Sequence, residues 1–138
     1  MLVGTHFLSS FWMMVIIWFV QLVHYPLFYY VPDEAKIRYS HQHQKKISYL
    51  VLPGMLIELA SLIYLGQWFY TSGVWQLMMV LLILIWLSTF LIQVPCHQSL
   101  LREPSNKIVQ KLVMTNWIRT GLWTLKTILA FNLLMGVM

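Results

Sequence analysis

The sequence predicts an all-α integral membrane protein, a bundle of four helices with both termini on the non-cytoplasmic side. Three observations carry that expectation. Apolar residues make up 59% of the 138 positions and charged residues only 9%. A soluble domain carries about 25% charged residues, so this chain lacks the charge to cover a water-facing surface. Four stretches reach the roughly 20 mostly apolar residues that a helical span requires. None shows strand-like alternation, so helices rather than a barrel must satisfy the backbone in lipid. The length corresponds to one domain, with positions 1–138 taken as a single transmembrane unit.

The first span is expected at about 7–31. The opening "MLVGTHFLSSFWMMVIIWFV" has no basic n-region and no small-residue cleavage site, so it reads as a retained helix and not a removed signal peptide. The polar stretch "VPDEAKIRYSHQHQKK" (31–46) reads as the first loop, and the second span follows at about 47–70. "TSG" (71–73) is a tight uncharged turn into a third span at about 74–100. In "LREPSNKIVQK" (101–111), Pro104 and Ser105 mark a helix start, and Ile108, Val109, Leu112 and Val113 already keep helical spacing. The fourth helix is therefore expected to begin before its apolar stretch at about 112–137.

Basic residues set the orientation. Lys36, Arg38, Lys45 and Lys46 lie in the first loop, and Arg102, Lys107 and Lys111 in the third. The second loop and both ends have none. Loops one and three are thus expected in the cytoplasm. The formal charge of +5 belongs to this pattern and not to a nucleic-acid-binding face; the expected surroundings are a lipid bilayer. A single cysteine, Cys96, excludes a disulfide within one chain.

The intramembrane polar residues converge on the basic-loop side. At 1.5 Å per residue, His24 lies roughly 13 Å in from Asp33, Glu58 roughly 18 Å from Lys46, and His97 roughly 8 Å from Arg102. Asn116 and Arg119 lie roughly 8–12 Å past Lys111. His43 stands where the first loop enters the second helix, whereas His6 near the chain start reads as interfacial. Helical spacing gives each span one polar stripe: Gln21 and His24; Gly54, Glu58 and Ser61; Trp86, Gln93 and His97; Asn116, Arg119, Trp123 and Lys126. Ile118, Leu125 and Leu129 fall on the opposite face of the last helix, suited to lipid. Stripes of this kind point into a bundle. Pro26, Pro53 and Pro95 lie near these groups and are expected to bend the axes there.

Glu58 is the one acid within a span, where a charge costs roughly 3 kcal/mol or more and so demands a partner. Two readings stay open: an ion pair with Arg119 or Lys126, or a metal ligand or proton acceptor. Lys126 reads as structural, near enough to the outer end to snorkel to water. Arg119 suits an anion or an enol-like oxygen. No HExxH or ExxH repeat is present. Three histidines and a carboxylate at similar depth nevertheless suit iron, copper or zinc, giving His24, His43, Glu58 and His97 as candidate metal ligands. A haem held axially by His24 and His97 is the alternative cofactor. Cys96 reads as a small buried hydrophobe. Trp117, Trp123, Tyr25 and Tyr29 read as packing or interfacial aromatics. Among them Trp123 shares the inward face and joins Asn116 and Arg119 as the candidate substrate-facing set.

"HYPLF" (24–28), Tyr39 and His43, "PGMLIE" (53–58), "VPCH" (94–97) with Leu100, and "NWIRTGLWT" (116–124) resemble, in order and across nearly the whole chain, a family of short four-helix bacterial inner-membrane proteins. That family usually has Arg where this chain has Lys126. The layout and the late Trp/Arg pattern are also similar to the anthrone-oxygenase-like membrane proteins, which act on polycyclic aromatic substrates. The resemblance implies a multi-pass protein of the bacterial inner membrane. The function expected from residues and resemblance together is a metal-dependent oxidoreductase. It would act on a hydrophobic, aromatic or quinone-like substrate from a cytoplasm-facing cavity, with Glu58 and Arg119 as catalytic candidates. The alternatives are a non-catalytic subunit or scaffold whose polar residues form a structural network, and a haem-binding bundle. The expected assembly is a homo-oligomer or a larger membrane complex, and association with a larger complex favours the scaffold.

Overall fold

The computed structural model describes residues 1–137. Nearly all of them fall in four helices: α1 (Leu2–Tyr30), α2 (Asp33–Phe69), α3 (Gly73–Arg102) and α4 (Asn106–Val137). No strand occurs among the described residues. All four helices are long and apolar enough to cross a membrane.

The polar stretch expected as the first loop is instead mostly helix. Only Val31 and Pro32 stand outside it, and α2 begins at Asp33. Pro32 precedes the helix in an extended conformation, and Asp33 and Glu34 occupy the first turn, where the helix dipole favours negative charge. Hydropathy locates the part of a helix that sits in lipid, not the point where the helix ends. The 37 residues of α2 make a rod of about 55 Å, against about 30 Å of hydrocarbon, so its basic first turns project beyond the apolar belt. The fourth helix also starts ahead of its apolar stretch, at Asn106, as the spacing predicts. Lys36 Nζ ties the two starts together, donating to Asp33 Oδ1 at 2.7 Å and to Asn106 Oδ1 at 2.9 Å.

Two of the three interior prolines sit just after π-helical turns, at Val20–His24 in α1 and Thr89–Gln93 in α3. The Tyr25 N–H bonds the carbonyl of Val20, and the Val94 N–H that of Thr89, each five residues back. Such a turn inserts one extra residue into the ladder ahead of Pro26 and Pro95, which lack an N–H to continue it. It also rotates the following side chains, among them His24, Tyr25 and His97, relative to a regular helix. Pro53 differs: it lies inside unbroken α-helix.

The helices pack as an up-and-down ring. α1 lies against α2 and α4, and α3 against α4 and α2. Three layers fill the middle. Tyr25, Phe28, Leu100 and Leu112 belong to the layer at the end that carries the basic loops. Met13, Met55, Ile85 and Trp123 form the centre, and Leu62, Met78, Leu82 and Ala130 the far layer. Gly54 leaves room for the Met13 and Trp12 side chains of α1: a Cβ there would stand 2.6 Å from Met13 Sδ. The outward faces are apolar, and Ile118 and Leu125 are exposed as their spacing predicts. Leu129 is half-buried and packs against the far layer. In lipid the helices gain nothing by hiding apolar surface from one another, so packing and interhelical hydrogen bonds must hold them.

Candidate functional site

The inward polar stripes do not form one centre. They form two, which meet at Trp123.

The first centre lies toward the far end. Glu58 on α2 and Lys126 on α4 are both fully buried, with Nζ 2.8 Å from Oε1. Ser10 on α1 donates to the same Oε1 at 2.8 Å, and Trp123 Nε1 donates to Oε2 at 3.1 Å. Lys126 also donates to Ser10 Oγ at 3.0 Å and lies 3.3 Å from His6 Nε2. The other ring nitrogen of His6 is 2.8 Å from Ser61 Oγ. The Thr127 hydroxyl closes onto the Ser10 carbonyl at 3.0 Å. Three helices thus share one network in which both carboxylate oxygens and the ammonium have partners.

This arrangement corrects two sequence expectations. His6 is not interfacial: it is fully buried, because the small Ser10 and Ser61 leave room for its ring between α1 and α2. Lys126 does not snorkel, because Glu58 neutralises it where it stands. Of the two candidate ion pairs for Glu58, the one formed is with Lys126.

The second centre lies toward the basic-loop end. His24, His43 and His97 come from three helices and do assemble. The rings of His24 and His43 stack with centroids 4.2 Å apart, and those of His43 and His97 lie 5.5 Å apart. Tyr25 donates or accepts through its hydroxyl at 3.0 Å from His97 Nε2, and Phe28 and Tyr39 pack edge-on and stacked around the group.

The expected four-ligand metal set is not assembled. Glu58 sits in the other centre with its oxygens engaged. His24 and His43 stack face to face, His97 is tilted against His43, and His24 Nε2, His43 Nε2 and His97 Nδ1 have no hydrogen-bond partner among the described residues. Among the described residues no group of three or more His, Cys, Asp and Glu side chains is placed to hold one metal ion. The centroid of the His43 ring lies 4.2 Å from that of His24 and 5.5 Å from that of His97, the expected axial haem pair.

Beside the histidines a cavity of about 290 Å³ opens between α2 and α3. Its inner wall is made by buried Met13, Tyr25, Arg119 and Trp123, and its outer rim includes the exposed side chains of Leu52 and Phe90. These rim residues belong to the apolar outer face of the bundle. Arg119 is 6% exposed. Its guanidinium stands 5.1 Å from the centre of the Trp123 ring, a cation–π distance, and the Tyr25 phenol is a close neighbour. Nη1 donates a long bond, 3.3 Å, to Asn116 Oδ1.

Asn116 was expected to face substrate, and the structure places it behind Arg119 instead. Its amide donates to Gln21 Oε1 at 2.8 Å, and Gln21 in turn donates to the Val113 carbonyl at 3.2 Å. Asn116 therefore fixes the guanidinium and links α4 to α1. Trp123 does line the cavity, and it connects the two centres: its ring face meets Arg119 while its N–H meets Glu58.

Four residues lining this cavity carry a buried polar atom with no hydrogen-bond partner among the described residues: Trp86 Nε1, Gln93 Oε1, His97 Nδ1 and Arg119 Nε. Leaving such a group unpaired costs about 1–3 kcal/mol, and a native fold rarely does so without a ligand or water to fill the place. The sequence reading missed Tyr25 as a site residue and treated it as packing. The signal available was its position between His24 and Pro26, where a π-turn re-aims the chain. Ser10 gave no signal, since a single serine is unremarkable in a span, whereas Ser61 shares the inward stripe of Glu58 as its spacing predicts.

No family model, curated protein or solved structure matches this chain.

Proposed function

We propose that this is a multi-pass membrane protein that takes a hydrophobic, oxygen-bearing small molecule, aromatic or quinone-like, from the bilayer into the α2–α3 cavity and acts on it there. One observation carries the proposal: four unpartnered buried polar atoms belong to residues lining a single cavity whose rim includes exposed apolar side chains. The volume is at the lower end of small-molecule sites, which begin at about 300 Å³. Arg119 supplies donors for a substrate oxygen. The Tyr25–His97 pair, 3.0 Å apart, is within the range for proton transfer to or from a bound group. These side chains provide binding, orientation and proton transfer. The oxidoreductase class rests on the residue types at His24, His43, Glu58 and His97, which suit a metal, and on the resemblance to the anthrone-oxygenase-like proteins for an aromatic substrate; the donor geometry does not add to it.

Glu58 takes a different part in this proposal from the one expected of it. Its closed network leaves nothing free for a substrate, which favours a scaffold role for that half of the bundle. The chain would then combine a structural far half with a ligand-binding half at the basic end. By the distribution of Lys and Arg, we place the basic end in the cytoplasm and both termini across a bacterial inner membrane. Assembly with further copies or a larger membrane complex stays part of this proposal.

The test is saturable binding of 2-naphthol to the purified protein in detergent, compared with Val51→Trp. Val51 lines the cavity and is half-buried, so an indole there fills it. Saturable binding that disappears in the variant supports the site. Binding that is non-saturable, or unchanged by Val51→Trp, refutes it.

A further inference from the structure

Among the described residues three Lys and Arg side chains are buried: Lys36, Arg119 and Lys126. Two of them hold a carboxylate, Asp33 at 2.7 Å for Lys36 and Glu58 at 2.8 Å for Lys126. Arg119 pairs with no carboxylate among the described residues. Glu58 is not available to it, because Ser10, Lys126 and Trp123 occupy that carboxylate. What surrounds Arg119 is neutral: Asn116 Oδ1 at 3.3 Å, the Tyr25 phenol, and the Trp123 ring at 5.1 Å. A guanidinium cannot shed its charge by losing a proton, and burying an uncompensated charge costs several kcal/mol. The fold accepts that cost at a residue lining an open cavity.

The unpartnered atoms around the cavity also have a pattern. Arg119 Nε and Trp86 Nε1 are donors that lack an acceptor, Gln93 Oε1 is an acceptor that lacks a donor, and His97 Nδ1 is one or the other according to its tautomer. Gln93 is held by its own amide, which donates to Thr115 Oγ1 at 3.0 Å.

From the unpaired charge and this pattern we infer that the ligand of the cavity is a hydrophobic monoanion. A single oxyanion rests on Arg119, and an aromatic body lies toward the α2–α3 opening. One cation matches one negative charge; a dianion such as a phosphate monoester would leave a second charge buried without a partner. A neutral quinone would satisfy donors but leave the guanidinium uncompensated. A hydroxyl elsewhere on the body would meet Gln93. The inference rests on the cavity being a ligand site, as proposed above, and adds the charge of what it takes.

The test compares 2-naphthoate with 2-naphthamide, two probes of nearly the same shape that differ in charge, by calorimetric titration of the whole protein in detergent. The carboxylate is expected to bind at least about tenfold more tightly, the margin of one charge-assisted hydrogen bond. Arg119→Gln should bring its affinity to that of the amide, while Arg119→Lys, which keeps the charge, should retain a preference. Equal affinities in the unaltered protein would overturn the inference and leave the ligand site standing. Failure of both probes to bind would overturn both. A preference that survives Arg119→Gln would refute the assignment to Arg119. Should Arg119→Gln not fold, the ratio in the unaltered protein and the behaviour of Arg119→Lys decide the matter.

Discussion

Replacing Lys126 by Met keeps the length of the side chain and removes its charge. Three contacts go with it, to Glu58 Oε1 at 2.8 Å, Ser10 Oγ at 3.0 Å and His6 Nε2 at 3.3 Å. The larger consequence is for Glu58, which is fully buried and keeps only the Ser10 hydroxyl and the Trp123 N–H against its negative charge. Removing one member of a buried pair typically costs about 3–5 kcal/mol. Glu58→Gln strands the ammonium in the same way, although the amide oxygen still accepts from Ser10 or Trp123. Removing both charges together leaves no uncompensated ion. The double variant Glu58→Gln/Lys126→Met is therefore expected to lie within about 2 kcal/mol of the unaltered protein, with a coupling energy of at least about 2 kcal/mol between the two sites. The assay is reversible unfolding in mixed micelles with increasing sodium dodecyl sulfate, followed by far-ultraviolet circular dichroism. Single variants that each cost under about 1 kcal/mol and add within about 0.5 kcal/mol would refute the reasoning. That outcome would return Glu58 to the set of candidate metal ligands, because a ligand to a metal has no reason to be coupled to Lys126.

Trp123→Phe separates the two duties of that side chain. The ring face under Arg119 remains and the N–H to Glu58 is lost, so stability in the same assay should fall by about 1.5–3 kcal/mol, as for a hydrogen bond to a charged group, while binding of 2-naphthoate persists. The basic-residue distribution predicts that alkaline phosphatase fused after the last residue is active and that a fluorescent protein fused there is dark; the reverse pattern would place the termini in the cytoplasm.

Much of the architecture was legible in the sequence because it depends on quantities that sum along the chain. Apolar runs of span length, a shortage of charge and a polar stripe at helical spacing suffice for four helices and for their inward faces. Asn116, Arg119, Trp123 and Lys126 are all buried, as their common face predicts. The helix ends were less legible. The polar residues 33–46 form helix as readily as loop once they leave the bilayer, and hydropathy does not distinguish the two.

The sequence by itself determined that polar groups must meet inside the bundle, because a hydrocarbon surround leaves a charged side chain no other place. Only the tertiary structure decided which groups meet. Depth along a helix is a one-dimensional coordinate, and Glu58, Arg119 and Lys126 are close enough in it for either cation to claim the carboxylate. Which cation reaches it depends on how α2 and α4 are rotated and set against each other, which no pattern along one helix contains. Lys126 meets Glu58, and Arg119 is left beside Trp123, lining a cavity with no carboxylate partner among the described residues.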